Sequence, residues 1–234
     1  MKKQPIQLSD HFTYGRLIRF TLPSICMMIF TSIYGMVDGF FISNIVGKTA
    51  FASVNLIIPF LQILGGVGAM LGVGGSALVA KTLGEGDVHL ARRYFTMMMY
   101  LMLGSSVVFT GIGIAVLRPV AYLFGATDAM IGDVMTYGTI CLLFNTALHA
   151  QYTFQSYLIT AEKPKLALWV VVAAGVSNMI LDYVLMAVIP MGVAGAALAT
   201  GLSECIGGLI PLFWFLSKKT KSALRFTRTN FEIR

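Results

Sequence analysis

Three carboxylates stand where a greasy environment makes them costly: Asp38, Asp182 and Glu204 each fall inside a long apolar run. Each has a polar companion one helical turn away. Tyr34 and Asp38, Asn178 and Asp182, and Thr200 and Glu204 are i, i+4 pairs, so a helix would present each pair on one face. A carboxylate near the middle of a membrane span costs about 2.5–3.5 kcal/mol on insertion scales, and these runs hold no lysine or arginine to neutralise one. An unpaired buried carboxylate either takes up a proton or binds a cation. Oxygen donors from Asp38, Asn178, Asp182 and Thr200 suit a hard monovalent cation such as sodium, by analogy with the all-oxygen shells of calcium and magnesium. The same groups suit reversible protonation, and sequence does not choose between the two. Glu204 and Tyr34, joined by Asn55 and Gln62 on either side of Pro59, form a further candidate proton or substrate site. A negative site favours a positively charged small-molecule cargo. Among the 16 Phe, 9 Tyr and 14 Met are cation–π faces and adaptable walls for amphiphilic cations, although most of these side chains face lipid or core.

The elements that carry these residues are membrane spans. The 234 residues are 57% hydrophobic and 12% charged, against roughly 45–50% and about 25% in a soluble domain. That excludes disorder, coiled coils and soluble enzymes. Apolar stretches bounded by charges and turn formers predict an all-α, polytopic membrane protein with six spans at about 20–42, 52–80, 94–117, 134–160, 166–189 and 193–216. They form one lobe (17–216) between a polar segment (1–16) and a basic tail (217–234). With the N-terminus inside, all of the 17 Lys and Arg except Lys48 and Arg118 fall on the cytoplasmic side. This places both termini in the cytoplasm of a protein integral to the plasma (inner) membrane. The same distribution reads as orientation and not as a nucleic-acid footprint. No cleavable signal peptide is expected, because residues 4–16 are polar.

Depth sharpens the site. At about 1.5 Å per residue, Asp38 lies roughly 6 Å from the outer end of its span, Asp182 and Thr200 roughly 10 Å, and Asn178 and Glu204 roughly 16 Å. Three helices thus bring polar groups to neighbouring levels, and a wet, acidic cavity follows. Pro23 removes a backbone hydrogen bond about four turns from Asp38, so protonation of the acid is expected to change the bend of the first helix and gate the cavity. The glycine pairs Gly35/Gly39 and Gly68/Gly72 are expected to serve close helix packing. Cys26, Cys141 and Cys205 read as buried small hydrophobes without a disulfide. His149 is a lone histidine, expected to satisfy an interhelical hydrogen bond. Gly84-Glu85-Gly86-Asp87 matches the G-x-G-D of intramembrane proteases but falls in a charged loop. No Walker loop, HExxH motif or nucleophile elbow appears, so neither enzyme chemistry nor a cofactor beyond the coupling ion is expected.

The runs Tyr34-Gly35-Met36-Val37-Asp38-Gly39-Phe40-Phe41-Ile42 and Ala52-Ser53-Val54-Asn55, with Pro59, resemble the first two helices of the multidrug and toxic compound extrusion (MATE) family. So do Leu83-Gly84-Glu85-Gly86-Asp87 with Ala91-Arg92-Arg93, then Asn178-Met179-Ile180-Leu181-Asp182, and then Met191-Gly192-Val193-Ala194-Gly195-Ala196-Ala197-Leu198-Ala199-Thr200. The resemblance implies a secondary antiporter that exports organic cations in exchange for protons or sodium. It makes Asp38 the acid of the first helix that binds the coupling ion and Pro23 the bend. Asn178, Asp182 and Thr200 then match a polar cluster on helices five and six. Family members have twelve helices in two lobes, so a missing C-terminal lobe or a second copy is the expected partner. Glu204 stands where the family often has an uncharged amide. The competing readings are a lipid-linked oligosaccharide flippase of the same superfamily, which would want basic residues in the cavity, and an inactive half-transporter fragment.

Overall fold

The computed structural model describes residues 14–217 and 223–227. The cations at Lys2, Lys3, Lys218, Lys219, Lys221, Arg228 and Arg234, on which much of the charge asymmetry depends, lie outside the described residues. So do most of the N-terminal and C-terminal segments expected at 1–16 and 217–234, and the side chains of Arg16 and Arg19.

Seven helices follow in order. Helix α1 (Tyr14–Phe41) widens into a π-helical turn at Ile42–Val46. Next come α2 (Lys48–Gly84), α3 (Val88–Leu123), α4 (Ile131–Leu143) and α5 (Asn145–Thr160). Helix α6 (Pro164–Asp182) ends in a second π turn at Tyr183–Val188, and α7 (Val193–Leu216) completes the bundle. No strand occurs among the described residues. Five helices are long and apolar enough to cross a membrane by themselves, and α4 with α5 furnishes a sixth if the bent pair is one span. The protein is an integral, multi-pass, all-α membrane protein.

Two departures from the sequence expectation have physical causes. Helix α2 has 37 residues and α3 has 36, which at 1.5 Å per residue is about 55 Å, well beyond the roughly 30 Å hydrocarbon core. Lys48 and Arg118, read from sequence as loop charges, are therefore exposed helical residues: a helix keeps its backbone satisfied as it leaves the apolar zone, so charge alone does not end it. The expected fourth span is instead two helices meeting at Phe144 at 53°. No proline or glycine causes that break. The Thr110 hydroxyl donates to the Leu142 carbonyl (3.1 Å), and Asn145 Nδ2 donates to the Ser106 carbonyl (3.3 Å) and to Thr110 Oγ1 (3.2 Å). Ser106 and Thr146 hydroxyls pair at 3.0 Å. The Thr110 hydroxyl thus takes over a backbone carbonyl at the bend, as irregular backbone within a membrane requires, and the side-chain bonds of Asn145 and Thr146 tie the bend to α3.

Small residues set the approach of the helices. Helix α2 runs against α3 and α5, α7 lies among α4, α5 and α6, and α1 packs chiefly on α6. A Cβ on Gly68 would come 2.7 Å from His149 Cα, and one on Gly72 would come 2.9 Å from Thr153 Cα. The Thr153 hydroxyl donates to the Gly68 carbonyl at 3.0 Å. Gly68 and Gly72 are therefore packing residues. Gly35 is not: nothing lies within 4 Å of its would-be Cβ, and it borders open space. Gly39 meets only the edge of the Phe51 ring, at 3.2 Å.

The apolar core forms two clusters. One gathers residues such as Ile57, Leu117, Val134 and Met186 toward the end of the bundle marked by Gly47 and Gly192. The other gathers Phe95, Phe154, Tyr157 and Phe215 toward the opposite end. Polar side chains occupy the level between them: Ser106, Asn145, His149, Asn178 and Asp182 are all buried.

Candidate functional site

The polar level opens into a hollow of about 250 Å³ among α1, α2, α4, α5, α6 and α7. Asp38 and Tyr34 reach it from α1, Gln62 from α2, Asn178 from α6, and Thr200 and Glu204 from α7. Asp182 lies against the same group, fully buried, and its carboxyl is within hydrogen-bonding reach of the Asp38 carboxyl once either one carries a proton. Six of the sequence candidates line the hollow and a seventh, Asp182, packs against them. Asn55 does not join them. It lines a neighbouring groove of about 440 Å³ between α1 and α2, which shares Asp38 and Gly35 with the hollow, and its amide donates to the Phe51 carbonyl of its own helix at 2.8 Å. Pro23 is buried elsewhere in α1, which passes through it without interruption.

The two helices that carry the facing aspartates change their winding beside the acid, whereas α7, which carries Glu204, stays α-helical throughout. Asp38 lies one turn before the π turn of α1, and Asp182 is the last α-helical residue before the π turn of α6. A π turn widens the helix and shifts the register of everything beyond it, a device common at functional sites. Gly47 (φ +130°) accepts the chain after the first of these turns, its N–H donating to the Ile42 carbonyl at 3.0 Å.

The electrostatics of the hollow are one-sided. Among its lining residues are two acids and no lysine, arginine or histidine. No donor reaches Asp38 Oδ1, either carboxylate oxygen of Asp182, or Asn178 Oδ1, and Asp182 and Asn178 are 0% and 1% exposed. Four buried oxygens with bare lone pairs, converging from two helices, are a donor set for a proton or a hard cation. The same set is poorly matched to a polyphosphate, which needs cations around it.

Sequence reasoning missed several lining residues. Tyr137 on α4 places its hydroxyl beside Thr200 and Cys141. Asn145, Gln151 and Tyr152 come from α5, and Ser203 from α7. A signal for them existed in the density of polar residues between Asn145 and Ser156, unusual for a span. The break that turns them toward the hollow left no proline or glycine to read. His149 is buried but bonds within its own helix, its Nδ1 2.9 Å from the Asn145 carbonyl, so the expected interhelical bond is not made. Because that partner only accepts, Nδ1 carries the proton and Nε2 is left bare. The three cysteines are free and only partly buried.

Membrane-crossing helices around a polar hollow that holds acids and no basic side chain define the class: an integral, multi-pass membrane protein with a polar interior. Comparison gives the family. The MatE family profile matches residues 23–184, and the chain belongs to that family. It is 24% identical over 221 residues to the multidrug export protein MepA of Staphylococcus saprophyticus, covering 93% of this chain and 49% of that protein. MepA of Staphylococcus haemolyticus is 23% identical over 216 residues, covering 92% and 48%. The chain thus spans about half the length of the curated relatives it matches. Among solved structures, a MATE protein in a bent conformation superposes with a TM-score of 0.85 at 23% identity, over 93% of this chain and 48% of that one. A MOP superfamily transporter from Pyrococcus furiosus superposes with a TM-score of 0.83 at 24% identity, over 90% and 46%. These likenesses establish the fold.

Proposed function

We propose that this chain forms one lobe of a secondary antiporter that exports amphiphilic organic cations against a proton or sodium gradient. The observation that carries this reading is the set of bare oxygens on Asp38, Asp182 and Asn178, beside Thr200, in a hollow without a basic residue. A coupling cation or proton satisfies those lone pairs, and its departure restores their cost. That cost makes the site responsive to the gradient, because two adjacent carboxyls in a low-dielectric wall cannot both stay ionised without a positive partner. The curated relatives carry the name of multidrug export proteins, which agrees with a positively charged cargo. In this reading the lobe sits in the plasma (inner) membrane with both termini cytoplasmic, and a second lobe or a second copy completes the cleft. Pro23 is the flexible point of α1. A flippase of lipid-linked oligosaccharides gains no support from a hollow lined by acids, tyrosines and amides.

The test is uptake of a fluorescent organic cation into proteoliposomes under imposed proton or sodium gradients, wild type against Asp38→Asn. Gradient-driven uptake is expected in the wild type and a loss of at least about tenfold in the variant, the scale set by removing one charge from a buried site. Equal gradient-driven rates in the two would refute coupling through Asp38.

A further inference from the structure

A second cavity, of about 480 Å³, lies between α3, α5 and α7 and shares no lining residue with the polar hollow. Helix α5 turns Asn145 and Tyr152 to the hollow, and Ala147, Ala150 and Phe154 to this cavity. Met99, Met102 and Phe154 form a buried floor, while Leu103, Leu143 and Leu209, all exposed, form a rim that opens toward the bilayer. The threonine hydroxyls in its wall are engaged. Thr96 Oγ1 donates to the Arg92 carbonyl at 2.9 Å and accepts from the Thr227 N–H, and the Thr146 hydroxyl pairs with that of Ser106 at 3.0 Å. The matching occupant is therefore apolar. Shape narrows it further. From Thr96 to Leu103 the cavity follows α3 for about 10 Å, against roughly 15 Å for one leaflet of the bilayer, and it ends at the bend at Phe144. A partner helix, about 10–12 Å across, would overfill it; an extended hydrocarbon chain is slender enough.

The surface end of the same wall is basic. Arg92 and Arg93, both half-buried, stand one turn before Thr96, on the face of α3 that continues through Thr96, Met99 and Leu103 into the cavity. The acids next to them in sequence are engaged: Asp87 accepts from the Leu90 N–H, and Glu85 lies 3.8 Å from Lys81. Arg92 gives its Nε to the Ala223 carbonyl, and neither arginine has an ion pair among the described residues. We propose that one acyl chain of an anionic phospholipid fills the cavity between α3, α5 and α7, with the lipid phosphate resting on Arg92 and Arg93. Basic side chains at the membrane surface draw anionic headgroups, and the cavity adds a seat for the chain that a bare basic patch lacks. A zwitterionic lipid fits the same cavity without net attraction at its mouth, so headgroup charge decides which lipid stays. The site does not depend on the exchange reading.

Native mass spectrometry of the delipidated chain in detergent tests this, with phosphatidylglycerol and phosphatidylcholine of the same chain length as probes. One phosphatidylglycerol per chain is expected to stay bound, and more tightly than phosphatidylcholine. Arg93→Gln is expected to weaken phosphatidylglycerol about fivefold, and Arg92→Gln with Arg93→Gln about 25-fold, the scale of one surface cation each, with phosphatidylcholine changed less than about twofold. Arg93→Lys, which keeps the charge, is expected to stay within about threefold of the wild type and so separates loss of the site from loss of the fold. Phosphatidylglycerol with a photoreactive diazirine at the end of one acyl chain is expected to label the segments around Phe144 and Cys205, at the deep end of the cavity. Equal retention of the two lipids, wild-type affinity in the double variant, label spread evenly over all lipid-facing helices, or a dimer of the chain that added lipid fails to disperse would each overturn the site.

Discussion

Asp182 bears its burial with no donor on either oxygen, so its conservative replacement should separate stability from function. Asp182→Asn removes a charge that the fold must keep out of water and supplies an amide that can donate to Asp38. Its melting temperature in detergent is expected to equal or exceed that of the wild type, while gradient-driven exchange falls by at least about tenfold, the trade-off common at sites built for function. A lower melting temperature would show that the carboxylate holds the lobe together. Glycines give the opposite test. Gly201→Ala drives a methyl into the Phe144 ring, and Gly68→Ala drives one into the backbone of His149. Each is expected to cost about 1–3 kcal/mol of stability by overpacking. Gly66→Ala and Gly74→Ala, with nothing within 4 Å, should be neutral or slightly stabilising. Thermal melts of the four variants check the set.

At the scale of the element, the bend at Phe144 rests on Asn145 reaching Ser106 and Thr110. Asn145→Leu leaves the Ser106 carbonyl without that donor and is expected to cost about 1–3 kcal/mol. It should also straighten α4 on α5, which spin-label distances between the two helices would register as a longer separation; an unchanged distance would mean that packing alone holds the bend. This element also marks how far the sequence could be read. Spans were legible because apolar runs and their charged borders report directly on transfer to lipid. Asp38, Asp182, Asn178, Thr200 and Glu204 were legible because an ionisable or amide group in such a run is conspicuous, and helical spacing then assigns a face. Tyr137 and Tyr152 were not, since a tyrosine in a span reads equally as core, interface or lining until its helix is rotated into place. The break at Phe144 was hidden because its stabilising partners lie some 35–39 residues away on α3. The π turns were hidden as well, since Ile42–Val46 and Tyr183–Val188 have the composition of ordinary helix.

For the whole molecule, counting the bent pair α4–α5 as one span gives six crossings, and the loops between them should then alternate between the two faces. Single cysteines in place of Glu85 and Lys163 should therefore react with a membrane-impermeant maleimide from one face of the membrane, and one in place of Met191 from the other. Reaction of all three from one face would break the six-crossing arrangement. On the Glu85 side the segment 223–227 folds back on the bundle. Arg92 Nε donates to the Ala223 carbonyl at 2.7 Å, the Thr227 N–H donates to Thr96 Oγ1 at 3.1 Å, and Leu224 is fully buried. Segment 223–227 is thus tied to the start of α3.

The division of the apolar core into two clusters has a dynamic corollary. In a bundle sealed from end to end, deuterium penetrates last at mid-membrane. Here the greasy plugs lie above and below a polar, hollow waist, so backbone amides near Asn178 and Thr200 should exchange sooner than those near Val193 or Phe215, inverting the usual gradient of protection with depth.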